Sequence, residues 1–135
     1  MTGPPRLAHL AIVVRELDAQ AAVPASALGL AVRDRTTVPG EDAAVSFIPV
    51  GAAELEFIQP LSAGGPLGRF LDQRGEGIHH LALRVPDIAA AIGRAAGAGL
   101  RLAGRAPRPG AHGTKVAFVH PSSLRGLLLE LVEGG

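Results

Sequence analysis

The sequence has no cysteine, tryptophan or tyrosine, a single methionine and four phenylalanines. Without cysteine there is no disulfide, no thiolate metal site and no thiol nucleophile, so any metal must be held through nitrogen and oxygen. Aromatic content of 3% argues against a nucleic-acid reader that stacks bases on side-chain rings. Charge of one sign is lacking too. Thirteen Lys/Arg stand against twelve Asp/Glu, a net +1, too little to track a phosphate backbone. Local arginine contacts to one anionic small molecule stay open. No apolar run approaches the roughly 18 residues of a membrane span. The opening MTGPPRLAHLAIVVREL lacks the apolar length and small-residue cleavage site of a signal peptide. A cytoplasmic, soluble protein with no nucleic-acid or membrane partner is expected. What the chain does have is 135 residues, 47% of them hydrophobic and mostly Ala, Leu and Val, enough for one domain with a real core.

The chain also repeats itself. HLAIVVREL (9–17) matches HLALRVPDI (80–88), and LGL (28–30) matches AGL (98–100). VSFI (45–48) matches VAFV (116–119), and LEF (55–57) matches LEL (129–131). Four matches in order at a nearly constant offset indicate a duplication. Each copy reads βαβββ. The opening strands are 7–14 and 79–85. The later strands are 30–36, 44–50 and 53–59, then 100–104, 115–120 and 126–132. Asp87 is the expected N-cap of the second helix, in which Ile88, Ala91, Ile92, Ala95 and Ala96 recur at helical spacing. The first helix (17–28) is expected to be kinked or shortened by Pro24. Gly29 and Gly99 fall where a helix C-terminal glycine is expected. PLSAGGPLGRFLDQRGEG (60–77) joins the copies, with Leu67, Phe70 and Leu71 placed to form one short docking helix. The expected fold class is therefore α+β. One domain (1–135) would hold two tandem βαβββ modules, 5–60 and 77–133, with a linker over 61–76. Together they would form a curved, cleft-bearing mixed sheet with helices on its outer face.

Side chains alternate between the faces of a strand. Leu10, Ile12 and Val14 share one face, and His9, Ala11 and Val13 the other; Leu81, Leu83 and Val85 oppose His80, Ala82 and Arg84 in the same way. The large aliphatic set is what a helix covers. A histidine followed by a small residue on the other face suggests a ligand-facing surface. The last strands carry Glu56 and Glu130, and an acid inside LLLELV is costly to bury without a metal, a cation or a proton to compensate it. If the two halves face each other, His9, Glu56, His80 and Glu130 converge, a donor set suited to a borderline-to-hard divalent ion. His79 shares the aliphatic face and is expected to pack near a helix. His112 lies in the Gly-rich loop RPGAHGTK and is expected to be solvated, and His120 before Pro121 to serve a turn. Arg101, Arg105 and Arg108 read as a solvated face, with anchoring of substrate phosphates as the second reading.

Further segments carry a family signature: HLAIVV (9–14), VPGEDAAVSFIPVG (38–51), LEFIQPL (55–61), GRFLDQRGEGIHHLALRVPDI (68–88), PRPGAHGTKVAFVHP (107–121) and GLLLELVE (126–133). In these the chain resembles the vicinal oxygen chelate superfamily, which includes glyoxalase I, and within it the methylmalonyl-CoA epimerase branch. The resemblance implies a glyoxalase-like fold, usually a homodimer, with one divalent ion per site (Co, Mn, Ni, Zn or Fe) on His9, Glu56, His80 and Glu130. It implies interconversion of (R)- and (S)-methylmalonyl-CoA by C2 proton abstraction through a metal-stabilised enolate, with an acyl-CoA as the small-molecule partner. Glu130 matches the acid that serves both as ligand and in proton transfer. The second base stays open. Val45 stands where some epimerases carry a further glutamate, which leaves Glu56, a water or another residue, while Glu41 and Asp42 are expected in a turn. Two further departures concern the substrate: PASALGL lacks the aromatic that commonly precedes LGL, and Ser122 replaces the lysine of the family's HPK. A glyoxalase-type lyase or isomerase on another α-carbonyl substrate would use the same four ligands. A non-catalytic antibiotic-binding protein would need none of them.

Overall fold

The computed structural model describes residues 3–134. The chain divides into two compact units. The first is His9–His79, and the second joins the residues before His9 to those from His80 onward. Both boundaries fall inside strands, β1 (Arg6–Val13) and β5 (Gly77–Arg84).

In the first unit, β1 leads into α1 (Leu17–Leu28), then β2 (Arg33–Val38), β3 (Ala43–Val50), β4 (Ala53–Pro60) and α2 (Pro66–Arg74). The strand order is β2-β3-β4-β1; β2–β3 and β3–β4 are antiparallel, and β1 runs parallel to β4. Leu17, Ala21 and Ala25 of α1 recur every four residues and form one buried stripe. They pack with Val14, Ala44, Ile48 and Phe57 beneath them, flanked by Ile12, Leu30 and Leu55. Leu17 and Ile48 are almost fully buried, and each such side chain contributes about 1.5–3 kcal/mol. This packing explains why α1 runs through Pro24 rather than stopping there. A proline deletes one helical hydrogen bond, but Ala21 and Ala25 hold the helix to the sheet on both sides of it. The expected docking helix is α2, with Leu67 buried.

The second unit repeats the plan. β5 is followed by α3 (Ile88–Gly97), β6 (Leu102–Pro109), β7 (Lys115–Val119) and β8 (Leu129–Glu133), in the order β5-β8-β7-β6. β5–β8 is parallel and the other two pairings are antiparallel. Asp87 caps α3, its side chain accepting the Ala90 N–H at 3.1 Å. Ile88 and Ala91 pack with Val85, Ala117 and Leu131 on the helix side. Ala8, Ala82, Val116, Phe118 and Val132 cluster on the opposite face. The expected α+β class with repeated βαβββ order and mixed strand pairing is therefore observed.

Both module helices end in the same way. Gly29 (φ 68°) and Gly99 (φ 86°) turn left-handed, and Leu30 and Leu100 donate back to Ala25 and Ala95 at 2.7 and 2.9 Å. These caps use residues that the sequence pattern assigns to strands. Hence β2 begins at Arg33 and β6 at Leu102, not at 30 and 100. β8 likewise begins at Leu129, because a tight turn over Pro121–Ser123 and left-handed Arg125 and Gly126 occupy the preceding residues. No helix among the described residues is long and apolar enough to cross a membrane.

Candidate metal centre

In the first unit the parallel register sets Ala11 of β1 beside Glu56 of β4. His9 and Glu56 project from the face away from α1, and His9 Nε2 lies 3.2 Å from Glu56 Oε1. Phe47 of β3, in register with Glu56, stands edge-on to the His9 ring at 6.5 Å. In the second unit Ala82 of β5 is beside Glu130 of β8. His80 Nε2 lies 3.2 Å from Glu130 Oε1. Phe118, in register with Glu130, meets the His80 ring edge-on at 5.4 Å. The duplication thus extends to the side chains: each unit presents a His–Glu pair backed by a phenylalanine. The repeat aligns the two phenylalanines, yet their ring contacts were not read from sequence, because an aromatic in a strand is by default core.

Glu56, His80 and Glu130 are buried, only 5–7% exposed, and His9 is half-buried. Burying carboxylates this far is costly unless a positive charge, a proton or a metal compensates them. The chemistry of the donors fits a metal. Ligand atoms at neighbouring positions on a divalent ion with bonds of about 2.1 Å stand about 3 Å apart, close to the 3.2 Å of both pairs. Neutral imidazole nitrogen with carboxylate oxygen suits the borderline divalent ions.

Each glutamate strand is also pinned to a helix. Gln59 Oε1 accepts the Leu17 N–H at 2.9 Å, and Glu133 Oε1 accepts the Ile88 N–H at 2.9 Å. Leu17 and Ile88 open α1 and α3, where main-chain N–H groups have no partner within the helix. Gln59 and Glu133 each sit three residues after a candidate ligand, so alternation turns one side chain to the helix and the other away from it. That spacing is visible in the sequence.

The other candidates separate cleanly. His79 stacks edge-on against Phe70 of α2 at 4.9 Å, as expected for a packed histidine. His120 caps the Pro121–Ser123 turn, its Nδ1 accepting the Ser122 N–H at 3.0 Å. His112 is exposed and left-handed in its turn. Glu41 and Asp42 lie in and after the short Pro39–Glu41 turn, with Asp42 accepting from Ser62. Arg101 is exposed. The side chain of Arg105 lies outside the described residues. Arg108 departs from a solvated face: it is half-buried, with its guanidinium over the Phe118 ring, Cζ 5.1 Å from the centroid. Away from these groups, Glu76 accepts the Arg15 N–H at 2.9 Å. That bond, and then one from Gln20, hold its carboxyl below its ordinary value.

Comparison with known proteins places this geometry in context. Residues 8–118 match the family model of the glyoxalase/bleomycin resistance protein/dioxygenase superfamily. An ethylmalonyl-CoA/methylmalonyl-CoA epimerase of Cereibacter sphaeroides is 40% identical over 93% of this chain and 96% of its own length. The crystal structure of a methylmalonyl-CoA epimerase from Mycobacterium tuberculosis superposes with a TM-score of 0.91 at 31% identity, covering 96% of this chain and 88% of that one. A variant of the Streptomyces coelicolor methylmalonyl-CoA epimerase in complex with 2-nitronate-propionyl-CoA gives a TM-score of 0.93 at 26% identity, covering 98% and 99%.

Proposed function

The chain belongs to the glyoxalase/bleomycin resistance protein/dioxygenase superfamily, and from that premise we propose that it is a metal-dependent epimerase interconverting (R)- and (S)-methylmalonyl-CoA. The observation that carries the reading is the repeated, buried His–Glu pair, His9–Glu56 and His80–Glu130, in a chain whose relatives are named for this reaction. His9, Glu56, His80 and Glu130 are the proposed ligands of one divalent ion. When bound, the ion supplies Lewis-acid stabilisation of negative charge on a carbonyl oxygen.

Epimerisation removes the C2 proton from one face of the substrate and returns a proton to the other. Glu130 is the proposed carboxylate on one face. Its Oε1 is directed to His80, and the C2 proton is taken at Oε2. Glu56 holds the repeat-related position and is the proposed donor for the opposite face. Phe47 and Phe118 buttress the two imidazoles and limit their rotation.

The test is exchange of the C2 proton of methylmalonyl-CoA for deuterium in heavy water, with the metal-loaded protein. Rapid exchange is expected; its absence would overturn the proposal.

A further inference from the structure

The repeat breaks at one place beside the second His–Glu pair. Val45 and Val116 are repeat-equivalent, and each precedes its phenylalanine by two residues on the same strand face. In the first unit the residue opposite Val45 across the strand pair is Thr36; in the second, opposite Val116, it is Arg108. The arginine reaches Phe118, and the other side of that contact chain is Phe118 against His80. A register shift in β6 between Ala103 and Arg108 sets the arginine there. Gly104, inside the shift, has φ +73°, and a side chain on it would begin 3.4 Å from Arg108 Nη1. The guanidinium therefore lies along its own strand and over the ring, with Nε hidden from solvent.

We infer that Arg108 binds the free carboxylate of the substrate's malonyl group. This rests on the function proposed above and deepens it by assigning the group that selects a malonyl over a simple acyl thioester. A guanidinium offers a planar fork of donors that matches a carboxylate in bidentate fashion. Stacking on Phe118 fixes the plane of that fork before the ligand arrives, so little side-chain freedom is lost on binding. Position decides between the two anionic parts of an acyl-CoA. Arg108 is half-buried and one ring away from His80, whereas Arg101 at the start of the same segment is exposed. The carboxylate sits on the reacting carbon, and the phosphates lie at the far end of a long pantetheine arm. The first unit has a neutral threonine at the matching place, so the site gains a cationic end and with it an orientation for the substrate.

The experiment measures equilibrium binding of malonyl-CoA, acetyl-CoA and free CoA to the metal-loaded protein, without turnover. Wild-type protein is expected to prefer malonyl-CoA over acetyl-CoA by about tenfold or more, the worth of a charge-assisted hydrogen bond. Arg108→Met keeps an apolar chain on Phe118 and removes the charge. It should weaken malonyl-CoA binding by about tenfold and leave acetyl-CoA and CoA within about twofold. Arg108→Lys should recover part of the loss and guards against a variant that folds poorly. Equal wild-type affinity for the two thioesters, an Arg108→Met affinity for malonyl-CoA unchanged within about twofold, or a parallel loss for free CoA would each overturn the inference. Because binding is read apart from proton exchange, failure of the epimerase proposal and failure of the arginine assignment give different results.

Discussion

Glu133 accepts the first N–H of α3, that of Ile88, at 2.9 Å, and so ties the strand that carries Glu130 to the helix that packs on it. Gln59 does the same for Leu17 and the strand of Glu56. The two halves use different chemistry for one task, a carboxylate in one and an amide oxygen in the other. Glu133→Gln is therefore expected to be nearly neutral, since it installs what the first unit already uses. Glu133→Ala strands a helix-start N–H and should cost about 1 kcal/mol. Loss of the exposed Lys115 contact, at 3.8 Å, adds little. Urea denaturation midpoints of the two variants check this.

Adjacent histidines should behave as unrelated residues. His80→Ala is expected to abolish stoichiometric metal binding and proton exchange. His79→Leu should retain both, and lose about 0.5–1.5 kcal/mol of stability from the ring contact with Phe70. Metal content by elemental analysis, set beside thermal melting, separates the two outcomes.

Glu130→Gln keeps the shape of the side chain and removes its basicity. C2 exchange should fall by at least about a hundredfold, the usual worth of a positioned base, while metal binding weakens without disappearing. Retained exchange would move the base to another residue. Chelation of the wild-type protein should lower its melting temperature, and added Co or Mn should restore it, because an ion bound only by the native state stabilises that state.

Acid stability should carry a contribution from Glu76. The Arg15 N–H, and then Gln20, hold its carboxyl below the ordinary value. A lowered folded-state pKa means the native state binds this proton less readily than the unfolded chain does. The contribution is thus complete above the unfolded value of about 4.3 and disappears as pH falls through the folded value. The melting-temperature gap between wild type and Glu76→Ala should therefore be constant near neutrality and close below about pH 4. A gap that persists unchanged at pH 3 would contradict the assignment.

The His–Glu pairs were legible because a strand has a period of two: His9 and His80 fall opposite the aliphatic set, and the duplication supplies each with a matching glutamate. Asp87, Gly29 and Gly99 were legible because caps have local residue preferences. Arg108 was not. Its position depends on a register shift in β6, an element that runs over 102–109 rather than the expected 100–104. A shift of this kind is settled by pairing with β7 and leaves no periodic trace in a stretch rich in glycine and proline. Pro24 misled for a related reason, since local cost was overruled by Ala21 and Ala25 packing into the core.

The two repeats and the two compact units begin at the same residues, His9 and His80, but the segment before the first repeat goes with the second unit. Ala8 stands before the first repeat, yet it packs with Ala82, Val116, Phe118 and Val132 in the core of the second unit. Trimming the chain to start at the first recognisable repeat residue, His9, would leave the first unit's own residues intact and take a buried side chain from the unit that holds His80 and Glu130. For anyone shortening or permuting this protein, Ala8 has to travel with the second unit.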